Sequence, residues 1–248
     1  MFDLLKIRRA QGVQYVRDVR TAAPDGFRGM PVIGSAPCKD GCRACKEACP
    51  TGAIALDPLA LDLGRCVFCG ECADACSDGK IVFGSSWKMA AGRREDLVLR
   101  EGSRLEPVRV SESLHRIFGR SLRLRSVSAG GCNGCELELN ALGNVNFDMG
   151  RFGIEFVASP RHADAVVVSG PVTANMAEAL ELAWDAVPDP RFVIAFGTCA
   201  ISGEPFADSG AVDRKFLEKN APLLFIPGCP PHPLTFISGI LDLLGAKG

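Results

Sequence analysis

Twelve cysteines in 248 residues are the groups best placed to do chemistry, and their spacing says which chemistry. Eight lie between residues 38 and 76. Cys42, Cys45 and Cys49 recur 27 residues later as Cys69, Cys72 and Cys76, and Cys38 recurs 28 residues later as Cys66. The flanks repeat too: Cys49-Pro-Thr-Gly-Ala-Ile54 answers Cys76-Ser-Asp-Gly-Lys-Ile81. This is an internal duplication with one extra residue between Cys38 and Cys42. Three closely spaced thiolates wrap three irons of a four-iron, four-sulfide cube, and the fourth cysteine turns away to ligate the other cube. The spacing therefore predicts two 4Fe–4S clusters, one on Cys38, Cys42, Cys45 and Cys76, the other on Cys66, Cys69, Cys72 and Cys49. Eight free thiols, or two four-cysteine zinc sites, are the alternatives. Zinc usually takes paired C-x2-C knuckles separated by a spacer, which this pattern fits less well.

The remaining four cysteines are far apart in sequence but similarly placed. Cys132 and Cys135, in Gly130-Gly-Cys132-Asn-Gly-Cys135-Glu136, follow one apolar run; Cys199, in Gly197-Thr-Cys199, follows another; Cys229, in Pro227-Gly-Cys229-Pro-Pro231, follows the last. In open α/β sheets, ligands bind at the carboxyl ends of the strands. Four cysteines on loops at that edge can converge on one cluster, with the neighbouring glycines letting backbone approach it closely. Three sets of four cysteines then use all twelve thiols. Four unrelated buried thiols would leave their common placement unexplained.

These sets require two kinds of scaffold. Residues 122–248 read as α/β. Short apolar runs at 126–129, 154–158, 165–169, 192–196 and 223–226 alternate with helical patterns at 136–142, 174–187, 212–219 and 234–244. Nearly continuous apolar strands separated by helices predict a parallel sheet buried on both faces, flavodoxin-like in class. Residues 31–90 form the cysteine-rich unit, an α+β two-cluster domain, and 91–121 a connector with a short helix at 114–118. Residues 88–125 carry ten Lys or Arg against five acids, scattered without interleaved aromatics, as expected of a solvated connector rather than a nucleic-acid arm. Residues 1–30 open with Phe2, Leu4, Leu5, Ile7, Val13, Tyr15, Val16 and Val19 among basic residues, a pattern suited to docking on a partner protein or a membrane surface, or equally to covering the chain's own domain.

A net charge of −1 argues against a nucleic-acid partner, and 47% hydrophobic residues exclude a mainly disordered chain. Residues 221–241 carry no charge, but Pro222, Pro227, Pro230, Pro231 and Pro233 oppose a continuous spanning helix. The opening residues show no secretory pattern, which predicts a soluble or peripheral protein in a reducing, cytoplasmic setting where cysteines serve metals rather than disulfides.

Few other residues carry a chemical signal. Glu136 beside Cys135 is a candidate for proton transfer, against the plainer reading of an acid favoured at a helix N-terminus. His232 is a candidate donor to a cluster sulfide, against that of a surface histidine in a proline-rich loop. His115 and His162 belong to no constellation. Gly170-Pro-Val-Thr173 opens a helix after a strand, but with no Walker lysine or G-x-G-x-x-G motif it is a weak phosphate site.

The duplicated cysteines resemble those of bacterial two-cluster ferredoxins. Two departures are the C-x3-C opening at Cys38 and the missing proline after Cys76. Cys132-Asn-Gly-Cys135-Glu136, Gly197-Thr-Cys199 and Pro227-Gly-Cys229-Pro-Pro231 resemble the small subunit of membrane-bound NiFe hydrogenases, which has a homologous subunit in complex I. Arg151-Phe-Gly153 and Phe156-Val-Ala-Ser-Pro-Arg-His-Ala-Asp164 are similar to the small subunit of formate hydrogenlyase-type complexes. Phe27-Arg-Gly-Met-Pro31 and the cysteines after it are similar to their ferredoxin-like subunit. Complex I members usually show adjacent cysteines at the first position; the C-x2-C at 132–135 favours the hydrogenase branch.

The resemblance implies a fusion of these two subunits. It implies three 4Fe–4S clusters, no catalytic residue in this chain, and peripheral attachment at the cytoplasmic face of the inner membrane. The implied partners are a NiFe large subunit, membrane-arm subunits, and an electron donor such as formate dehydrogenase, carbon monoxide dehydrogenase or ferredoxin. The implied role is electron transfer for proton reduction or H2 oxidation. The alternatives are a subunit of a complex I-like quinone or sulfur reductase, and a stand-alone electron carrier.

Overall fold

The computed structural model describes residues 2–246 except 13, 14, 23, 25 and 120, so Val13 lies outside the described residues. The chain opens with α1 (Phe2–Gln11), which buries none of its residues. The cysteine-rich part then runs β1 (Pro31–Ile33), α2 (Ala44–Glu47), β2 (Ile54–Ala55), β3 (Ala60–Asp62), α3 (Glu71–Asp74), β4 (Ile81–Phe83) and β5 (Val98–Arg100). The two short helices start 27 residues apart, the interval of the cysteines, and each carries a buried cysteine at its second position, Cys45 and Cys72. β1 pairs antiparallel with β4, and β2, β3 and β5 form an antiparallel sheet.

After α4 (Glu112–Phe118) come β6 (Leu122–Ser128), α5 (Gly134–Ala141), β7 (Ile154–Phe156), β8 (Ala165–Ser169), α6 (Ala174–Asp185), β9 (Phe192–Phe196), α7 (Thr198–Ser202), α8 (Lys215–Lys219), β10 (Leu224–Ile226) and α9 (Pro233–Leu243). Five strands form one parallel sheet in the order β10-β9-β8-β6-β7. The chain winds one way from β6 to β7 and the other way from β6 through β8, β9 and β10. That is the flavodoxin-like order, and it opens a ligand-binding edge at the carboxyl ends of the strands. β8 and β9 are buried at every position, which is why their sequences read as unbroken apolar runs.

Among the boundaries that differ from the sequence pattern, two have a clear physical cause. β6 begins at Leu122 rather than Ser126: Leu122 and Leu124 are buried, while Arg123 pairs with Glu155 on the neighbouring strand and Arg125 donates to Ala158 O, so the alternation hides a strand. α8 begins at Lys215, because Val212 bridges to Thr173.

The two halves share one apolar cluster. Ala195, Ala200, Ile201 and Phe225 from the α/β part pack with Ile54, Leu61, Leu63, Cys66, Cys72 and Leu97 of the cysteine-rich part. Ala91 forms a bridge with Phe225 and β5 pairs with β3, so the residues between the halves add to both sheets. The first thirty residues divide: α1 is exposed, whereas Val16, Val19, Ala22 and Phe27 cover the α/β core. Among the described residues no helix is long and apolar enough to cross a membrane.

Candidate metal centres

The parallel sheet brings four cysteines from three loops to one edge. Cys132 lies after β6, Cys135 is the second residue of α5, Cys199 the second residue of α7 after β9, and Cys229 follows β10. β8 stands between β6 and β9 in the sheet, so the loop from β6 must cross its end. Glycines permit this: a Cβ on Gly131 would stand 2.9 Å from the Cα of Gly170, which directly follows β8. Cys135 then reaches the end of β9, where a Cβ on Gly197 would stand 2.7 Å from its Sγ. Gly197 also has a φ of 91°, which other residues rarely adopt.

The thiols of this set act on one another. Burial pushes the Cys135 pKa far up, reinforced by the charges of Cys199, Glu136, Cys229 and Cys132. Burial pushes Cys199 up to about 11, with Cys229 and Cys132 adding to it, and raises Cys229, with Cys132 adding to it. Four thiolates gathered there, with Cys135 and Cys199 half-buried, repel one another and are costly unless a cation neutralises them.

Among the eight N-terminal cysteines, the charges that act on each group include the last cysteine of the other. Cys45 is raised first by burial and then by Cys76, Cys38 and Cys42. Cys66 is pushed up to about 12 by burial, with Cys72, Cys49 and Cys69 adding their charge. Cys72 rises to about 11 through burial, Cys49 and Cys69. Cys49 therefore faces the set that follows it in sequence, and Cys76 the set that precedes it. Backbone N–H groups point at the sulfurs: Ala53 N to Cys49 Sγ at 3.2 Å, Phe68 N to Cys66 Sγ at 3.3 Å, and Lys80 N to Cys76 Sγ at 3.3 Å. At Cys76 burial acts upward, but N–H donors from Lys80, Ile81 and Asp78 outweigh it and lower the pKa. Backbone donation to sulfur favours thiolate and suits a ligand to iron. Among the described residues no three His, Cys, Asp or Glu side chains converge as they would around a single ion.

The donor chemistry of all three sets fits iron–sulfur clusters: all-thiol sets, buried or half-buried members, backbone donors to sulfur in the two N-terminal sets, and a glycine cradle at the sheet edge. Cys38, Cys42, Cys69, Cys132 and Cys229 are the exposed members.

The other candidates have local roles. Glu136 Oε1 accepts from Ser169 Oγ at 2.6 Å, while its buried Oε2 has no hydrogen-bond partner. His232 is not a surface residue: it lies between the rings of Phe27 and Phe147, and its Nδ1 accepts from Leu234 N at 3.1 Å, capping α9. Burial lowers its pKa. His115 Nδ1 meets Leu244 O, and His162 is exposed. Thr173 precedes α6, and the loop before it packs on Gly130 and Gly131. Sequence reasoning missed Thr198 and Arg214, which touch the Cys199 turn; only its position within Gly197-Thr-Cys199 could have hinted at the first, and nothing at the second.

Residues 132–243 match the family described as NADH ubiquinone oxidoreductase, 20 Kd subunit. The chain is 39% identical over 142 residues to a probable membrane-bound hydrogenase subunit of Pyrococcus furiosus, covering 57% of this chain and 83% of that one. It is 43% identical over 111 residues to an NADH-quinone oxidoreductase subunit of Heliobacterium modesticaldum, covering 44% and 63%. It is 42% identical over 134 residues to formate hydrogenlyase subunit 7 of Escherichia coli, covering 54% and 52%. Residues 1–131 lie outside the family match.

Proposed function

The chain belongs to the NADH ubiquinone oxidoreductase 20 kDa subunit family, and from that premise we propose that it is the electron-relay subunit of a membrane-associated NiFe hydrogenase complex. In this reading residues 38–83 supply a built-in two-cluster ferredoxin, so that one chain does the work of two subunits. Cys38, Cys42, Cys45 and Cys76 hold one cluster, Cys66, Cys69, Cys72 and Cys49 the second, and Cys132, Cys135, Cys199 and Cys229 the third. When bound, each cluster takes up and gives up one electron.

The chain's own residues do the rest. Backbone N–H groups at Ala53, Phe68 and Lys80 stabilise sulfur charge. Burial of Cys45, Cys66 and Cys72 keeps water from those sulfurs. In this reading the first set, with Cys38 and Cys42 exposed, meets an outside donor, a ferredoxin or a dehydrogenase. The sheet edge bearing Cys132 and Cys229 faces the NiFe large subunit, with membrane-arm subunits completing the complex.

The observation that carries this reading is the convergence of four cysteines at the carboxyl edge of the parallel sheet, on a body that shares its apolar interior with the second N-terminal set. A complex I-like reductase without nickel is the second reading, favoured by an identity to the quinone oxidoreductase subunit that matches the identity to the hydrogenase subunits. Purification of the intact complex with nickel analysis and H2-dependent dye reduction separates them. Nickel with H2-dependent reduction supports the hydrogenase; their joint absence leaves the reductase.

A further inference from the structure

Arg214 belongs to no cysteine set, yet four backbone carbonyls converge on its guanidinium. Nη1 donates to Cys199 O at 3.2 Å and Pro171 O at 3.4 Å, and Nη2 donates to Ala200 O at 2.8 Å and Ile201 O at 3.0 Å. Three of these acceptors are successive residues of α7, a five-residue helix; Cys199 O also accepts from Gly203 N, while the later carbonyls lie beyond the helix's own N–H groups. The fourth lies in the loop on which Gly130 and Gly131 pack, just before Cys132. One side chain thus fastens the Cys199 turn to the loop that supports the Cys132 turn.

Its charge is not neutralised locally. Arg94 is paired with Asp62 and Arg65 with Glu204, but among the described residues no carboxylate lies within ion-pair distance of Arg214. Burial presses its pKa down, Glu218 and Cys199 pull it back, and Arg94 opposes them. Arginine nevertheless stays protonated in proteins. The site therefore sets one fixed positive charge against the turn that carries Cys199.

We propose that Arg214 is a positioning residue for the cluster held by Cys132, Cys135, Cys199 and Cys229, and that its charge raises the reduction potential of that cluster. The inference rests on the electron-relay reading above. Uptake of one electron from the neighbouring cluster adds one negative charge, with no bond made or broken and no proton moved. A nearby cation stabilises that added charge.

The test uses the intact complex, purified anaerobically as wild type, Arg214→Gln and Arg214→Lys, with iron per chain and a redox titration of each cluster's paramagnetic signal. Arg214→Gln is expected to lower the sheet-edge midpoint by at least the 59 mV that a tenfold change means for a one-electron couple, leaving the other two unmoved. Arg214→Lys keeps the charge and should restore most of that shift, while melting below wild type because one ammonium cannot bridge four carbonyls. An unshifted potential in fully loaded Arg214→Gln, or an equal shift in Arg214→Lys, overturns this inference alone. If only Arg214→Gln loses the iron, the Lys variant decides: a wild-type potential supports the charge role and a lowered one overturns it. Iron lost from both variants assigns Arg214 to geometry alone and overturns the charge role. Wild-type complex lacking the sheet-edge cluster overturns the electron-relay reading itself.

Discussion

The hydroxyl of Thr198 donates to the backbone carbonyl of Cys66 across 2.7 Å, inside the protein. The same oxygen lies 3.1 Å from Gly228 O. A cysteine of the second N-terminal set is thereby joined directly to the turns that carry Cys199 and Cys229. A short covalent and hydrogen-bonded route between the halves runs through this one side chain.

Thr198→Val keeps the shape of the side chain but strands the Cys66 carbonyl. Leaving a buried acceptor unpaired costs about 1–3 kcal/mol. The apparent Tm of the anaerobic protein should fall, while Thr198→Ser stays near wild type. Equal melting of Val and wild type would show that the contact contributes nothing.

Metal content follows from the three cysteine sets. The anaerobically purified chain should hold about twelve iron and twelve sulfide. Stoichiometric zinc, or iron near eight, would defeat the three-cluster assignment.

The crossed neighbourhoods predict which cluster fails. Cys49→Ala should damage the cluster on Cys66, Cys69 and Cys72, and spare the one on Cys38, Cys42, Cys45 and Cys76. Paramagnetic spectra of the reduced protein check this; loss of the cluster on Cys38, Cys42 and Cys45 with retention of the other would reverse the ligation.

Gly197→Ala pushes a methyl to within 2.7 Å of Cys135 Sγ and forces alanine to a φ of 91°. The backbone strain alone costs about 1–3 kcal/mol. Iron should drop by about a third, all of it from the sheet-edge cluster. Full iron loading in this variant would mean that the cradle is not needed.

The sheet edge should be buried against the large subunit over more than roughly 2,000 Å², as in permanent complexes. Leu137, on α5 next to this edge, is 59% exposed in the single chain. Leu137→Arg should weaken association at least about tenfold, read by co-purification and titration. Undiminished association would place the interface elsewhere.

The parts of this protein that sequence reveals are those fixed by short-range chemistry. The duplication is legible because a 27-residue offset repeats both the cysteines and the short helices that carry Cys45 and Cys72. β8 and β9 are legible because strands buried on both faces are apolar throughout. The start of β6 is hidden because Arg123 and Arg125 sit beside an edge strand where charge finds partners. His232 reads as a surface residue because the rings that bury it, Phe27 and Phe147, are 205 and 85 residues away in the chain. Arg214 is invisible, since a guanidinium that serves only backbone carbonyls leaves no pattern in side-chain types.

The apolar cluster that Cys66 and Cys72 share with Ala195, Ala200, Ile201 and Phe225 has a kinetic consequence. A ferredoxin that diffuses to its acceptor must collide, orient and leave. Its turnover therefore slows in glycerol and responds to ionic strength. On the electron-relay reading the two carriers are instead set in one close-packed interior, which does not flex open in the manner of a tethered pair. On that reading, passage between the second and third clusters would be a fixed-distance tunnelling event, indifferent to solvent viscosity and to salt. The first exchange, at the exposed Cys38 and Cys42, would keep the character of an encounter between molecules.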